Sequence, residues 1–251
     1  MPWGGGGRLR AGVGATTMSL TNLITRAAEP VADGILTVLP EERRHGAHYD
    51  KIARVYDTLI SSWLYNRVVW GSPPSDYAVF ATMGLEGASG PVLDAGCGSL
   101  VFTADTYSGC AVPILMMDLS LGMLQRARAR LTDPYPRLLL QGDVYDLPFE
   151  DGTFDRVFHF ATAHLFEDRK PVFRELRRVL RPEGRLYLTS IVTGTTFGDW
   201  WAKVLHGRGE IAAPFSAEQL VEELGDVGFT SEFRTQGSGV YVAASKRPAP
   251  C

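Results

Sequence analysis

The sequence predicts an α/β fold in which helices cover both faces of a mostly parallel sheet. Three observations support this prediction. Short apolar runs alternate with segments of helical period between residues 76 and 248, which is typical of consecutive strand–helix–strand units. The runs are largely apolar, as expected for strands buried on both faces. Two final runs flank a Gly-Ser-Gly turn, which predicts a hairpin and an antiparallel last strand.

The elements follow in a regular order. Five strands are predicted at "GPVLDAG", "VPILMMD", "PRLLLQGD", "FDRVFHFA" and "RLYLTSIV", and the hairpin at "TSEFRTQ" and "GVYVAASK". Helices are predicted at "FTADTYSG", "SLGMLQRARARL", "DRKPVFRELRRVL" and "SAEQLVEELGDVGF", where Ser120 and Ser216 provide N-caps for the second and fourth.

Three segments lie outside this repeat. Residues 1–18 are rich in glycine and lack an apolar period, so they are expected to be disordered. Residues 19–75 are predicted to form a helical lid, because "AHYDKIARVYDTLISSWLYNRVVW" places apolar residues three and four apart. A second lid piece is predicted near 193–215, inserted into the core of residues 76–248.

Composition favours a globular protein that binds small molecules. The 251 residues are 45% hydrophobic and 21% charged, which suffices for one large α/β domain with a lid. The formal charge of -3 and the pI near 6.0 give no general attraction to nucleic acid. The basic run at 174–185 is interpreted as the solvated face of a helix.

The cysteines indicate a reduced environment. Cys97, Cys110 and Cys251 have neither a disulfide framework nor the spacing of a zinc site. No hydrophobic leader and no run of 18 apolar residues occurs. We therefore expect a cytoplasmic protein with no metal and no membrane contact, and the sequence carries no signal for an oligomeric state.

Acidic residues end three predicted strands in succession. Asp94, Asp118 and Asp143 close the first, second and third strands. One such carboxylate is often a helix cap or a turn former. Three at corresponding positions predict a ligand site, because ligands of doubly wound sheets bind beyond the carboxyl ends of the strands.

The turn after the first strand narrows the choice of ligand. Gly96 and Gly98 allow a ligand to approach the main chain closely. The dinucleotide pattern G-x-G-x-x-G is incomplete, because Val101 occupies its last position. This departure argues against an oxidoreductase that uses a nicotinamide or flavin dinucleotide.

Four motifs resemble those of class I S-adenosylmethionine-dependent methyltransferases, in the branch similar to quinone-ring and small-molecule enzymes. They are "VLDAGCGS", "MMDLSLGML", "QGDVYDLPFEDGTFDRV" and "RELRRVLRPEGRLYLTS". The resemblance implies a seven-stranded sheet with a reversed last strand. It also implies S-adenosylmethionine as cofactor, S-adenosylhomocysteine as product, and a small, hydrophobic acceptor methylated on O, N, C or S.

The resemblance also assigns cofactor contacts. It places the methionine portion against the main chain of the glycine turn, and both ribose hydroxyls on Asp118. Leu100 departs from the family, which commonly carries a third glycine there. The implied contacts are the methionine portion at Asp94, Gly96, Cys97, Gly98 and Phe160, and the adenine at Met117, Leu119, Asp143 and Val144.

Methyl transfer from a sulfonium depends mainly on alignment. Orientation contributes roughly 7–11 kcal/mol to such reactions, whereas a general base contributes about a hundred- to ten-thousandfold. Lid aromatics, with Tyr49, Tyr56, Trp200 and Trp201 as candidates, predict an apolar acceptor pocket. His164, after the fourth strand, is the candidate general base, and a structural histidine is the alternative.

A rival function uses the same fold without methyl transfer. The protein would then be a cyclase, a decarboxylase or a regulatory partner that binds the same cofactor.

Overall fold

The computed structural model describes residues 19–44, 66–71, 73–132 and 135–247. Within them, nine strands form one sheet in the order β1-β2-β5-β4-β3-β6-β7-β9-β8. The strands are β1 Glu29–Ala32, β2 Ile35–Thr37, β3 Val92–Ala95, β4 Ile114–Asp118, β5 Arg137–Gln141, β6 Phe154–Phe160, β7 Leu180–Ile191, β8 Phe229–Gln236 and β9 Gly239–Lys246.

Strands β2 to β7 pair in parallel through the sheet centre, and β9 pairs antiparallel with both β7 and β8. The α/β prediction, with its mostly parallel sheet and antiparallel last strand, is thus confirmed. The order of β3, β4 and β5 runs outward from the centre, while β6 lies on the other side of β3. The carboxyl ends of β3 and β6 therefore diverge at a switch point.

Helices cover both faces of the sheet. They are α1 Ser75–Leu85, α2 Ala104–Ser108, α3 Leu121–Arg130, α4 Lys170–Val179, α5 Thr196–Gly207 and α6 Ala217–Asp226. Ser120 and Ser216 accept hydrogen bonds from main-chain N–H groups in the first turns of α3 and α6, as their side chains predict.

Side-chain alternation divides the core into two layers. Val92, Ile114, Met116 and Phe158 face the layer that includes residues of α1, α2 and α3, which we call the first face. Residues one position later along the same strands point to the second face, where α4 and α6 pack. This alternation later determines which strand-end residues can reach a ligand.

The sheet has two more strands than predicted. Strands β1 and β2 form an antiparallel hairpin around Asp33 and Gly34, and β2 extends the sheet beside β5. The helical prediction for residues 19–75 is therefore wrong over residues 29–37. An Asp-Gly pair between apolar residues is a hairpin signal, and Gly34 has φ +68°.

Only some of the other residues predicted to form the lid lie within the described part of the chain. Within the 193–215 insertion, α5 packs on a π-helical turn, Asn66–Trp70, through Val69, Trp70 and Ala202. The segments 1–18 and 45–65 lie outside the described residues, so their predicted disorder and helical lid stay predictions.

Candidate active site

A cavity of about 330 Å³ lies at the carboxyl ends of β3, β4, β5 and β6. Its walls combine the glycine turn, the strand-end carboxylates and several aromatic rings. The lining includes nine of the ten residues assigned to the cofactor, namely Asp94, Gly96, Cys97, Gly98, Asp118, Leu119, Asp143, Val144 and Phe160.

The tenth residue, Met117, does not line the cavity. Its side chain lies in the core of the second face and is fully buried. Strand alternation explains this correction, because Met116 and Asp118 point to one face and Met117 to the other. Its main-chain carbonyl nevertheless shapes the site, since it accepts hydrogen bonds from the N–H groups of Gly96 (2.8 Å) and Cys97 (3.0 Å).

These hydrogen bonds also change the expected role of the glycine turn. The N–H of Gly98 donates to Asp118 Oδ2 at 2.8 Å, so three N–H groups of the turn are satisfied within the protein. The expectation that they meet a ligand carboxylate is therefore not supported. Gly98 has φ +57°, and a Cβ added there would meet no atom within 4 Å, so its missing side chain keeps space open in the cavity.

Asp118 joins two loops at the end of β4. Besides the Gly98 bond, its Oδ1 accepts the N–H of Ser120 at 2.9 Å. The carboxylate thereby holds the glycine turn against the start of α3. A carboxylate has about four acceptor positions, so Asp118 retains capacity for ligand hydroxyls from its place in the cavity wall.

Asp94 is a buried carboxyl of the cavity wall. The hydroxyl of Tyr107 donates to its Oδ2 at 2.8 Å. Its Oδ1 has no hydrogen-bond partner among the described residues. Burial raises the pKa of Asp94 to about 7, while the Tyr107 bond opposes that rise. A buried acceptor without a partner is costly and fits a donor supplied by a ligand.

Asp143 is already paired at the far end of the cavity. Its Oδ2 accepts a hydrogen bond from the Arg43 guanidinium at 2.6 Å, and its Oδ1 accepts the N–H of Tyr145 at 2.9 Å. Arg43 is half exposed, so this ion pair lies at the rim. Asp143 thus remains an acceptor whose charge is partly balanced.

The charge of the cavity therefore favours a cationic ligand. Three carboxylates line it, and no lysine, arginine or histidine is among the lining residues in the described part of the chain. An anionic pyrophosphate would meet like charges there. The Cys97 thiol in the same turn has a pKa well above its usual value because of burial and these carboxylates, so it stays protonated.

Two non-glycine residues of the lining have left-handed backbone conformations. Leu100 has φ +57° and Ala161 has φ +51°, a region that costs non-glycine residues about 1–2 kcal/mol. Leu100 occupies the position at which the resemblance implied a glycine, and its backbone has a conformation that glycine favours. Such strain is concentrated at ligand sites.

Aromatic rings supply the remaining walls, and sequence reasoning missed most of them. Tyr77 and Phe102 stack with ring centroids 4.8 Å apart, and Tyr145 meets Phe166 edge-on at 5.3 Å. All four line the cavity with Phe160. Tyr77 and Phe102 are far apart in the sequence, so no local pattern could have indicated their contact.

The predicted general base is not brought to the cavity. His164 is buried in a short 3-10 turn, Ala163–Leu165, and its Nδ1 lies 3.4 Å from Ser190 Oγ. Its neighbours Leu165 and Thr162 line the cavity, but His164 does not. Burial lowers the pKa of His164 to about 4. This geometry corresponds to the structural histidine that was the alternative.

The lid candidates are also not in the cavity wall. Trp200 is exposed on α5, and Trp201 packs beside Trp70, so neither lines the cavity. Tyr49 and Tyr56 lie outside the described residues.

The described residues lack two features that would point to other functions. No group of three or more histidine, cysteine or acidic side chains there could hold a metal ion. No helix in that part of the chain is both long and apolar enough to cross a membrane.

Comparison with known proteins identifies the central segment. Residues 93–188 match a family model described as a methyltransferase domain. A malonyl-[acyl-carrier protein] O-methyltransferase of Legionella pneumophila is 30% identical over 59% of this chain and 47% of its own length. A demethylmenaquinone methyltransferase of Corynebacterium kroppenstedtii is 31% identical over 57% of this chain and 61% of its own length. The chain spans about half the length of the curated relatives it matches.

Solved structures share the fold of this chain. The DhpI–SAH complex aligns with a TM-score of 0.61 at 19% identity, covering 87% of this chain and 100% of DhpI. The [4+2]-cyclase SpnF aligns with a TM-score of 0.64 at 18% identity, covering 80% of this chain and 94% of SpnF. At these identities the likeness concerns the fold alone.

Proposed function

We propose that residues 93–188, which match a methyltransferase domain, form the core of an S-adenosylmethionine-dependent methyltransferase, and that the protein transfers a methyl group to a small, largely apolar metabolite. Strands β3 to β6, which carry the cavity, lie almost wholly within this segment. The matched segment therefore contains most of the cavity that would hold the cofactor.

One observation carries the proposal: the partnerless Oδ1 of Asp94 in a cavity with three carboxylates. S-adenosylmethionine carries a sulfonium and an ammonium group, and its ribose offers two hydroxyl donors. The described residues fit this ligand, because each acidic strand end can accept one of these donors. The ammonium is assigned to Asp94, the ribose hydroxyls to Asp118 and the adenine amine to Asp143.

The cofactor supplies a methyl group that is already activated by the positive charge on sulfur. The protein has to hold its ligands in line and keep water away, which is the larger part of such catalysis. Phe160, Phe102 and Tyr77 provide a rigid apolar wall for this purpose. Thr162 limits the space beside Gly96, where an added Cβ would approach its side chain to 3.0 Å.

No general base is assigned. His164 lies outside the cavity wall, and the other residues of the lining offer no neutral imidazole or amine. An acceptor that ionises readily, such as a carboxylate or an acidic ring hydroxyl, would need none. This reasoning supports oxygen or carbon nucleophiles of the kind that the names of the curated relatives imply.

The test is a product assay with the full chain. S-adenosylmethionine would be incubated with a naphthohydroquinone, a malonyl thioester and a set of phenols, and S-adenosylhomocysteine and methylated product would be measured by mass spectrometry. Product that forms with one acceptor class, and that is lost in Asp118→Ala, supports the proposal. Tight cofactor binding without product from any acceptor would instead favour a non-methylating use of the fold.

A further inference from the structure

Tyr107 is a buried residue of α2 that no motif singled out. Its hydroxyl donates to Asp94 Oδ2 at 2.8 Å. Its ring stacks on Phe158 with centroids 6.2 Å apart and planes 19° apart. The phenol is fully buried, and burial holds its pKa well above its usual value, so it remains a donor.

We propose that Tyr107 is a positioning residue that occupies one oxygen of Asp94, presents the other to the cationic group of the ligand and favours the ionised carboxylate. The inference rests on the proposed function, because it assigns that cationic group to the ammonium of S-adenosylmethionine. Tyr107 itself does not line the cavity, so its effect passes through Asp94.

The two carboxyl oxygens of Asp94 have different hydrogen-bonding environments. Oδ2 is engaged by the hydroxyl, whereas Oδ1 is buried and without a partner among the described residues. Burial and the stack on Phe158 hold the phenol in place, so Asp94 cannot rotate without losing this bond. A carboxylate fixed in this way can meet an incoming donor without reordering.

Asp94 needs such support because its surroundings oppose ionisation. The first face presents Phe158 and Phe160 from β6, the end of β4 presents Asp118, and the glycine turn presents Cys97. Burial and the Asp118 charge raise the pKa of Asp94, and the Tyr107 bond is the opposing influence. Removing the hydroxyl should therefore make the carboxyl harder to ionise at neutral pH.

A purely structural role is the competing explanation, and the chain offers a matched control. Tyr187 on β7 is also buried on the first face, and its ring contacts the same Phe158 at 5.7 Å. It is not part of the cavity lining. Tyr187→Phe makes the same chemical change in the same aromatic cluster without touching Asp94.

The experiment measures binding of S-adenosylhomocysteine, which retains the ammonium and does not turn over, by calorimetry between pH 6 and 9. For Tyr107→Phe we expect affinity about tenfold below wild type at pH 7, approaching wild type near pH 9, since a hydrogen bond to a charged group is worth roughly one to two pH units. The amine of the ligand titrates equally in both proteins and cancels in the ratio. Tyr187→Phe should show a ratio near one throughout.

Two further readouts separate the possible failures. Carbon-13 NMR of the unliganded proteins should show the Asp94 carboxyl titrating at higher pH in Tyr107→Phe, whether or not the protein is a methyltransferase. In an Asp94→Asn background, Tyr107→Phe should cause no pH-dependent change. An unshifted Asp94 titration, or an affinity loss that is equal at every pH, would overturn the proposal. Absence of binding by wild type would contradict the proposed function and leave the NMR test intact.

Discussion

A buried aspartate and two buried histidines lie at neighbouring strand ends, and only the aspartate lines the cavity. Asp94 at the end of β3 lines the cavity, whereas His159 near the end of β6 and His164 just after it do not. Burial raises the pKa of Asp94 to about 7 and lowers the pKa of each histidine to about 4. At neutral pH the two histidines are therefore uncharged, whereas Asp94 is partly ionised.

Whether a residue at a strand end lines the cavity depends on the face of the sheet to which its side chain points. Asp94 and Phe160 lie on the first face and line the cavity, whereas His159 points to the second face. Its Nδ1 is within 2.7 Å of the Ala95 carbonyl, one residue before the glycine turn. The two histidines thus lie behind the cavity wall, whereas the carboxylates line the cavity.

The largest expected effect on cofactor affinity concerns Asp118. Asp118→Ala removes the assigned ribose acceptor and the bond to the Gly98 N–H, so we expect cofactor binding to weaken by about 1–3 kcal/mol. Asp118→Asn, which keeps one acceptor oxygen, should lose less. Calorimetric titration with S-adenosylmethionine measures both, and equal affinity in all three proteins would remove Asp118 from the site.

Asp94→Asn should separate binding from stability. The pKa of Asp94 is about 7 in the fold and 3.8 in its absence, so its contribution to stability is fully present below about pH 4 and lost as pH rises through 7. Asparagine cannot ionise, so we expect its free energy of unfolding to exceed that of wild type by about 1–4 kcal/mol at pH 8.

The same Asp94→Asn variant should bind the cofactor more weakly at pH 8, because the ammonium loses its charged partner. Urea unfolding at pH 4 and pH 8 provides the control, since the stability difference should nearly vanish at pH 4. A variant that is less stable than wild type at pH 8 would contradict the conclusion that burial disfavours the ionised form of Asp94.

Much of the fold was predictable because its signals are local. Apolar runs, N-caps and the Gly-Ser-Gly turn indicate strands and helices within a few residues, and they were confirmed from β3 to β9. The β1–β2 hairpin was missed because its strands are only four and three residues long. The helical period of residues 47–70 was extended over it, although Asp33-Gly34 carried a turn signal.

Substitution by glycine should change the free energy of unfolding in opposite directions at Ala161 and Leu100. Ala161→Gly relieves its positive φ with little packing loss, so we expect a gain of about 0.5–1 kcal/mol in the free energy of unfolding. Leu100 is only 2% exposed, so Leu100→Gly should cost about 1–3 kcal/mol despite the same relief. Thermal unfolding measures both, and a loss in Ala161→Gly would show that this backbone is not strained.

The smallest expected effect is on turnover in His164→Gln. Because His164 does not line the cavity, we expect the rate with a working acceptor to stay within about threefold of wild type. A rate loss above a hundredfold with cofactor binding intact would restore the general-base role.

His164→Gln should alter acid stability instead. The pKa of His164 is lowered from 6.5 to about 4, so its contribution to stability is present above pH 6.5 and lost as pH falls towards 4. The variant should therefore lose less stability than wild type between these values, by about 1–3 kcal/mol. Unfolding by urea at pH 7 and pH 4.5 checks this, and an equally steep acid dependence would contradict it.

The site was predictable only in part, for a physical reason. Carboxylates at strand ends and glycines in a turn are visible in the sequence, so nine of ten cofactor candidates lie in one cavity. Met117 and His164 lie outside the cavity wall, because the face to which a side chain points is not visible in the sequence. Tyr107 and Tyr77 were missed because their partners, Asp94 and Phe102, are met only after folding.

The most direct test of the central claim is a calorimetric titration of the full chain at pH 8 with S-adenosylmethionine and, separately, with NAD⁺. A cavity whose carboxylates accept the donors of a cationic adenosyl ligand should bind S-adenosylmethionine at one site per chain and give no heat with the anionic dinucleotide. Binding of NAD⁺, or no binding of S-adenosylmethionine, would contradict it.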